Sequence, residues 1–173
     1  MTLSERSFPV SGSTQYQFRE GRFFPSFEIV GCDTVEQAAK DCPIITTFTR
    51  AKEPFLTASM VAKGTHINAG GAIIPTNAEI AQDVFKRCDK IVCDNLAPVQ
   101  KGSRELMEYV QNGGSWDKVI PICNLVRDQK PRPAGADITI YKFMGMGLAD
   151  MASASTMPCV SECELKAKMS MAA

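Results

Sequence analysis

Short β-branched runs alternate with amphipathic stretches along most of this chain. Residues 27–31, Phe-Glu-Ile-Val-Gly, have the pattern of a strand. Asp33 or Thr34 can cap a short helix over 35–41, which Pro43 ends. Residues 44–49, Ile-Ile-Thr-Thr-Phe-Thr, are the kind of run a buried strand uses. Together they form a strand–helix–strand unit, whose parallel form crosses over right-handedly.

A turn, a strand and a glycine-rich loop follow in Lys63-Gly64-Thr65-His66-Ile67-Asn68-Ala69-Gly70-Gly71. Thr65, Ile67 and Ala69 alternate with His66 and Asn68. Gly70-Gly71 allows backbone conformations that a Cβ forbids, or close approach to a ligand. Thr76-Asn77-Ala78-Glu79 has the capping-box spacing and predicts a helix start, with Ile80, Ala81, Val84 and Phe85 as its apolar stripe. Strand, glycine loop and helix start make the ligand-facing edge of an open α/β sheet. An ordinary strand-to-helix connection has the same spacing.

Residues 90–94 read as another buried strand. A helix over 99–111 places Leu106, Tyr109 and Val110 on one face, and Gly113-Gly114 stops it. Residues 116–129 are partly helical, Arg132-Pro133-Ala134-Gly135 is a turn, and 138–143 is a last strand. From about Met146 a helix carries Leu148, Met151 and Ala152. The fold class is therefore α/β, a mostly parallel sheet with flanking helices. Residues 27–31, 44–49, 65–69 and 90–94 are its expected parallel strands, with a helix from Ala78 between the last two. The expected domain covers 27–157, after a poorly defined segment 1–26 and before a tail 158–173.

Composition narrows the function. Lys plus Arg and Asp plus Glu both number 19. No basic field suits nucleic acid or an anionic membrane. No apolar run approaches the roughly 18 residues of a membrane span, and residues 1–10 hold no secretory h-region. The seven cysteines include no C-x-x-C, and His66 is the single histidine, so no zinc-ligand set is present. Reduced structural thiols and a cytoplasmic location are expected.

Three sets of residues carry a family resemblance. They are Lys63-Gly64-Thr65-His66-Ile67-Asn68-Ala69, then Ile91-Val92-Cys93-Asp94, then Arg132 to Lys142 with Gly145-Met146-Gly147-Leu148-Ala149-Asp150. In this order the chain resembles the ornithine cyclodeaminase/mu-crystallin family from about Phe27 to Ala152. The resemblance implies part of a Rossmann-like NAD(P)-binding domain, with NAD or NADP as cofactor and an amino acid or cyclic imine as substrate. It also implies an oligomer or a complementing chain. It covers the C-terminal part of the family's chain. The family's substrate domain and its Gly-x-Gly-x-x-Gly loop are not recognisable here. That leads to the expectation of a truncated protein, inactive alone, that binds its cofactor weakly.

By the same resemblance, Thr47, Thr49 and Arg50 occupy the strand end beside the cofactor. Gly70 and Gly71 lie near the nicotinamide, Thr139 is a further cofactor-side position, and Lys142 matches a lysine of the last strand. Thr47 and Thr49 are also ordinary β-formers, and a strand-end lysine is commonly solvated. Two departures follow. Cyclodeaminases carry an acidic residue, and mu-crystallin a serine, where this chain has Ile73, which can neither take a proton nor orient water. Many members have an acidic stretch where this chain has Pro121-Ile122-Cys123-Asn124. No catalytic residue and no metal ligand is assigned. Three readings remain: a cyclodeaminase or imino-acid reductase by lineage, a nucleotide-binding or interaction module without chemistry, and an incomplete gene product.

Overall fold

A computed structural model describes residues 14–15 and 28–156. Strands β1 (Thr14–Gln15) and β2 (Glu28–Ile29) pair antiparallel as a separate ribbon. The remaining strands are β3 (Ile44–Thr47), β4 (Thr65–Ala69), β5 (Cys88–Cys93), β6 (Val119–Pro121) and β7 (Ile138–Lys142). They form one five-stranded sheet in the order β3-β4-β7-β5-β6, and every pairing in it is parallel. The helices are α1 (Val35–Ala39), α2 (Gln82–Lys86), α3 (Leu96–Gly102), α4 (Arg104–Gln111), α5 (Ile122–Arg127) and α6 (Gly147–Thr156).

The expected α/β class and three of the four expected parallel strands are present. The exception is residues 27–31. Their alternating pattern marks extended chain but does not name its partner, and Glu28 pairs with Gln15 instead of joining the parallel sheet. Most of segment 1–26 and the tail 158–173 lie outside the described residues.

Two helix expectations need correction. Thr76 caps nothing: its hydroxyl donates to the Asn77 side-chain oxygen at 3.0 Å. The helix α2 starts only at Gln82, and its N-cap, Ala81, makes no side-chain cap bond. Thr76 lies in a turn and residues 77–81 are not helical, with Leu56 bridged parallel to Ile80 and with the Phe55 and Leu56 N–H groups donating to the Glu79 carbonyl. The single helix expected over 99–111 is two helices. Ser103 is extended and its hydroxyl caps α4 by accepting from Leu106 N–H, as its preference for N-caps over helix interiors would have it.

The strand residues of the core share one face of the sheet, because Ile67, Ile140 and Ile91 are in register. Ile67, Ala69, Ile138, Ile140, Ile91 and Cys93 come from the strands, and Val84, Phe85, Val99 and Leu106 from the helices. At the strands' N-terminal end, Arg87 forks onto Asp137 at 2.9 and 2.7 Å and also donates to the carbonyls of Ala58 and Val61. The C-terminal ends of β3, β4 and β7 open side by side, and there the candidate site lies.

Candidate functional site

Parallel α/β sheets bind ligands beyond the carboxyl ends of their strands. In this chain that edge is made by Thr47 at the end of β3 with Phe48-Thr49 after it, Gly70-Gly71 after β4, Phe143 after β7 and Asp94 after β5. Gly70 and Gly71 are both held against β3, their N–H groups donating to the Thr47 carbonyl at 2.9 and 3.3 Å. A side chain at either position requires its neighbours to move. A Cβ on Gly70 would lie 2.4 Å from the Phe143 ring and 2.5 Å from the Phe48 ring. One on Gly71 would lie 2.2 Å from Glu79 Oε1 and 2.5 Å from the Thr49 carbonyl oxygen. Ala72 continues the loop with φ +48, a left-handed conformation uncommon for a residue with a Cβ.

A buried charged cluster supports this loop. Glu79 is fully buried, and its Oε2 accepts the Thr47 hydroxyl at 2.8 Å while its Oε1 accepts the Thr49 N–H. Lys142 Nζ donates to the carbonyls of Gly71 and Ala72 at 2.7 and 3.3 Å and sits 3.0 Å from Glu105 Oε2. Glu105 Oε1 accepts the N–H groups of Glu79 and Ile80 at 2.7 and 2.9 Å. Two carboxylates and one ammonium thus fix the strained turn from behind. A second pin is Asp94, whose Oδ2 accepts from Met144 and Gly145 N–H at 2.8 and 2.9 Å and ties the chain leaving β7 to β5.

The residues proposed from sequence separate into groups. Thr47, Thr49, Gly70, Gly71 and Lys142 come together at this edge. Lys142 is 1% exposed, so it is a buried structural cation and not a solvated strand-end lysine. Arg50 is exposed beside Thr49, and its guanidinium makes no hydrogen bond or ion pair among the described residues. Thr139 lies apart. It is three residues, roughly 10 Å along an extended strand, before Lys142, and its hydroxyl is 2.8 Å from His66 Nδ1.

Glu79, Glu105 and Asp94 were not proposed from sequence. The signal for Glu105 was Lys142 itself. In β7 it shares a face with Ile138 and Ile140, and a lysine on a buried face requires an acidic partner. Ile73, at the departure from the family pattern, is 51% exposed next to the loop.

Hollows flank the sheet among the described residues. One of about 910 Å³ lies at the N-terminal ends of β5 and β6, lined by Phe85, Lys86, Lys90, Tyr109 and Lys118 among others. It is at the wrong end of the strands for the usual α/β ligand site. Another, about 280 Å³, lies along the edge strand β3 between Val35, Ile44, Thr46, Phe48 and Phe55. Among the described residues no group of His, Cys, Asp and Glu could hold a metal ion, and no helix is long and apolar enough to cross a membrane.

The sequence model of the ornithine cyclodeaminase/mu-crystallin family matches residues 13–159. The chain belongs to this family. Among curated relatives, alanine dehydrogenase of Archaeoglobus fulgidus is 30% identical over 161 residues, 88% of this chain and 49% of the relative. Ketimine reductase mu-crystallin of Macropus fuliginosus is 25% identical over 123 residues, 71% and 37% of the two chains. Among solved structures, an archaeal alanine dehydrogenase dimer with bound NAD superposes with a TM-score of 0.63 at 29% identity, covering 71% of this chain and 38% of that one. The iminosuccinate reductase of Paracoccus denitrificans in complex with NAD+ gives a TM-score of 0.63 at 24% identity, over 70% and 38% of the chains, a likeness of fold alone. The chain spans about half or less of the length of these relatives.

Proposed function

We propose that this chain carries the nicotinamide-side half of an NAD(P)-dependent site, in a protein of the imino-acid reductase or cyclodeaminase type. The observation that carries the reading is the glycine loop at the strand ends, held in a strained turn by Glu79 and Lys142. A buried cluster of this kind is a costly support for a mere connection. Bound NAD of relatives in the same family supports the cofactor class.

The residues present fit that group. Phe48, beside Gly70, is 74% exposed, and its ring offers a planar face on which a nicotinamide ring can stack. The free guanidinium of Arg50 suits a phosphate oxygen. Thr49 and the Gly70–Gly71 backbone would flank the ring. When bound, the nicotinamide supplies hydride transfer; the chain's own residues position it and exclude water around it. The substrate class in this reading is an amino acid or cyclic imine, the assembly a dimer as in the alanine dehydrogenase relative. The free cysteines Cys32, Cys42, Cys88, Cys93 and Cys123 suit a reducing cytoplasm.

The exposed Ile73 favours a second reading, a dinucleotide-binding module without proton-transfer chemistry. Calorimetric titration of the full chain with NADH, NADPH and ADP-ribose tests the first step shared by both. Saturable NADH or NADPH binding, well tighter than ADP-ribose, supports a nicotinamide-side site. Equal affinity for ADP-ribose, or no saturation at millimolar ligand, refutes it. Turnover of a cyclic imine by the same sample separates the reductase from the module.

A further inference from the structure

The charges beneath the glycine loop do not balance. Both oxygens of Glu79 accept hydrogen bonds, from Thr47 and Thr49, as a carboxylate's do. Glu105 accepts two backbone N–H groups with one oxygen and faces the Lys142 ammonium with the other. One cation therefore answers two buried carboxylates, which leaves one negative charge in excess. Asp94, 7% exposed at the end of β5, has the same sign. The cations on neighbouring elements do not restore neutrality: Arg104 is engaged with Glu108 and Glu53, and Arg50 is exposed to screening solvent.

We infer that Glu79 makes this edge select the oxidised over the reduced nicotinamide. The inference rests on the dinucleotide reading given above. The oxidised ring carries one positive charge and the reduced ring none, while the rest of the dinucleotide is unchanged. A carboxylate fixed directly behind Gly71, in a region that excludes water, attracts the first and is indifferent to the second. Such selectivity corresponds to a lower reduction potential of the bound pair, by about 30 mV for each tenfold in the affinity ratio. The bound reduced form is then the stronger hydride donor, which suits a reductase.

The experiment compares dissociation constants of NAD+ and NADH for the full chain and for two variants, by equilibrium dialysis. Glu79→Gln keeps the hydrogen bonds, because its amide oxygen can accept from Thr49 and the Thr47 hydroxyl can turn to accept from its amide nitrogen. Glu105→Gln removes a charge from the same cluster and decides the matter if the first variant does not fold. The ratio of NADH to NAD+ dissociation constants is expected to fall on the order of tenfold in either variant. A purely structural role would weaken both ligands together. An unchanged ratio in variants that still bind both forms overturns the inference and leaves the dinucleotide reading standing. Failure of the unaltered chain to bind either form overturns both.

Discussion

Lys142 Nζ lies 3.0 Å from Glu105 Oε2, with 2% and 1% of the two side chains exposed. Glu105 Oε2 has no hydrogen-bond partner, so the ion pair is its sole compensation for burial. The pair joins the end of β7 to α4, and Lys142 extends the link to the loop after β4. Removing one member strands a charge without water. Lys142→Met should therefore cost about 3–5 kcal/mol in denaturant unfolding. Glu105→Gln should cost a similar amount, because it strands the Lys142 ammonium in turn, even though its amide oxygen still accepts the Glu79 and Ile80 N–H groups. Small losses in both variants would show that the pair contributes little.

Gly71 stands against Glu79 so closely that a methyl group cannot be added without moving the carboxylate or the Thr49 carbonyl. Gly71→Ala should destabilise by about 1–3 kcal/mol through overpacking, measured by the denaturation midpoint. Gly64 offers the control for volume. It has φ +90 and open space where its Cβ would be, so Gly64→Ala carries backbone strain alone. A Gly71→Ala loss that disappears when measured against Glu79→Ala alone would identify the carboxylate as the obstacle.

How far the chain could be read from its sequence differs by element. The strands β3, β4, β5 and β7 were legible, because β-branched runs between turn residues have few other uses. The partner of Glu28–Ile29 was not, because pairing is a long-range property that local pattern does not encode. Thr76 and Glu79 have the capping-box spacing, yet Glu79 is spent on β3 and on the segment carrying Phe55 and Leu56, so tertiary contacts override the local preference. Glu105 was illegible for a different reason. On an amphipathic helix a buried glutamate looks like any solvated one, and only the position of Lys142 on an apolar strand face hinted at it.

Since Thr76 is exposed and caps no helix, Thr76→Ala should change stability by less than about 0.5 kcal/mol. A loss near 1 kcal/mol, the usual value of a lost N-cap, would mean that a helix does begin there.

Leu148 and Met151 on α6 are 78% and 72% exposed; Met157, which continues their pattern, lies outside the described residues. Exposed apolar residues on one helix act as association surfaces. The purified chain should self-associate or bind a hydrophobic dye, and Leu148→Lys with Met151→Lys should reduce either signal. A monodisperse, dye-negative wild type would show that this surface is inert.

His66 is the only histidine, so its titration can be followed without assignment. Burial lowers its pKa from the ordinary 6.5, the Arg132 charge acts the same way, and a side-chain hydrogen bond with Asn68 opposes them. The unfolded chain therefore takes up this proton at a higher pH than the folded one. Well above 6.5 both states are neutral and the histidine adds no pH dependence. As pH falls from 6.5 through the lower folded value, the unfolded state binds more protons and stability declines. The His66 ring protons should titrate below 6.5 by NMR, and the slope of stability against pH just under 6.5 should flatten in His66→Asn. The same variant removes the contact with the Thr139 hydroxyl, so its stability above pH 7 measures that bond separately. A ring titrating at or above 6.5 would place His66 in water and break the assigned link between β4 and β7.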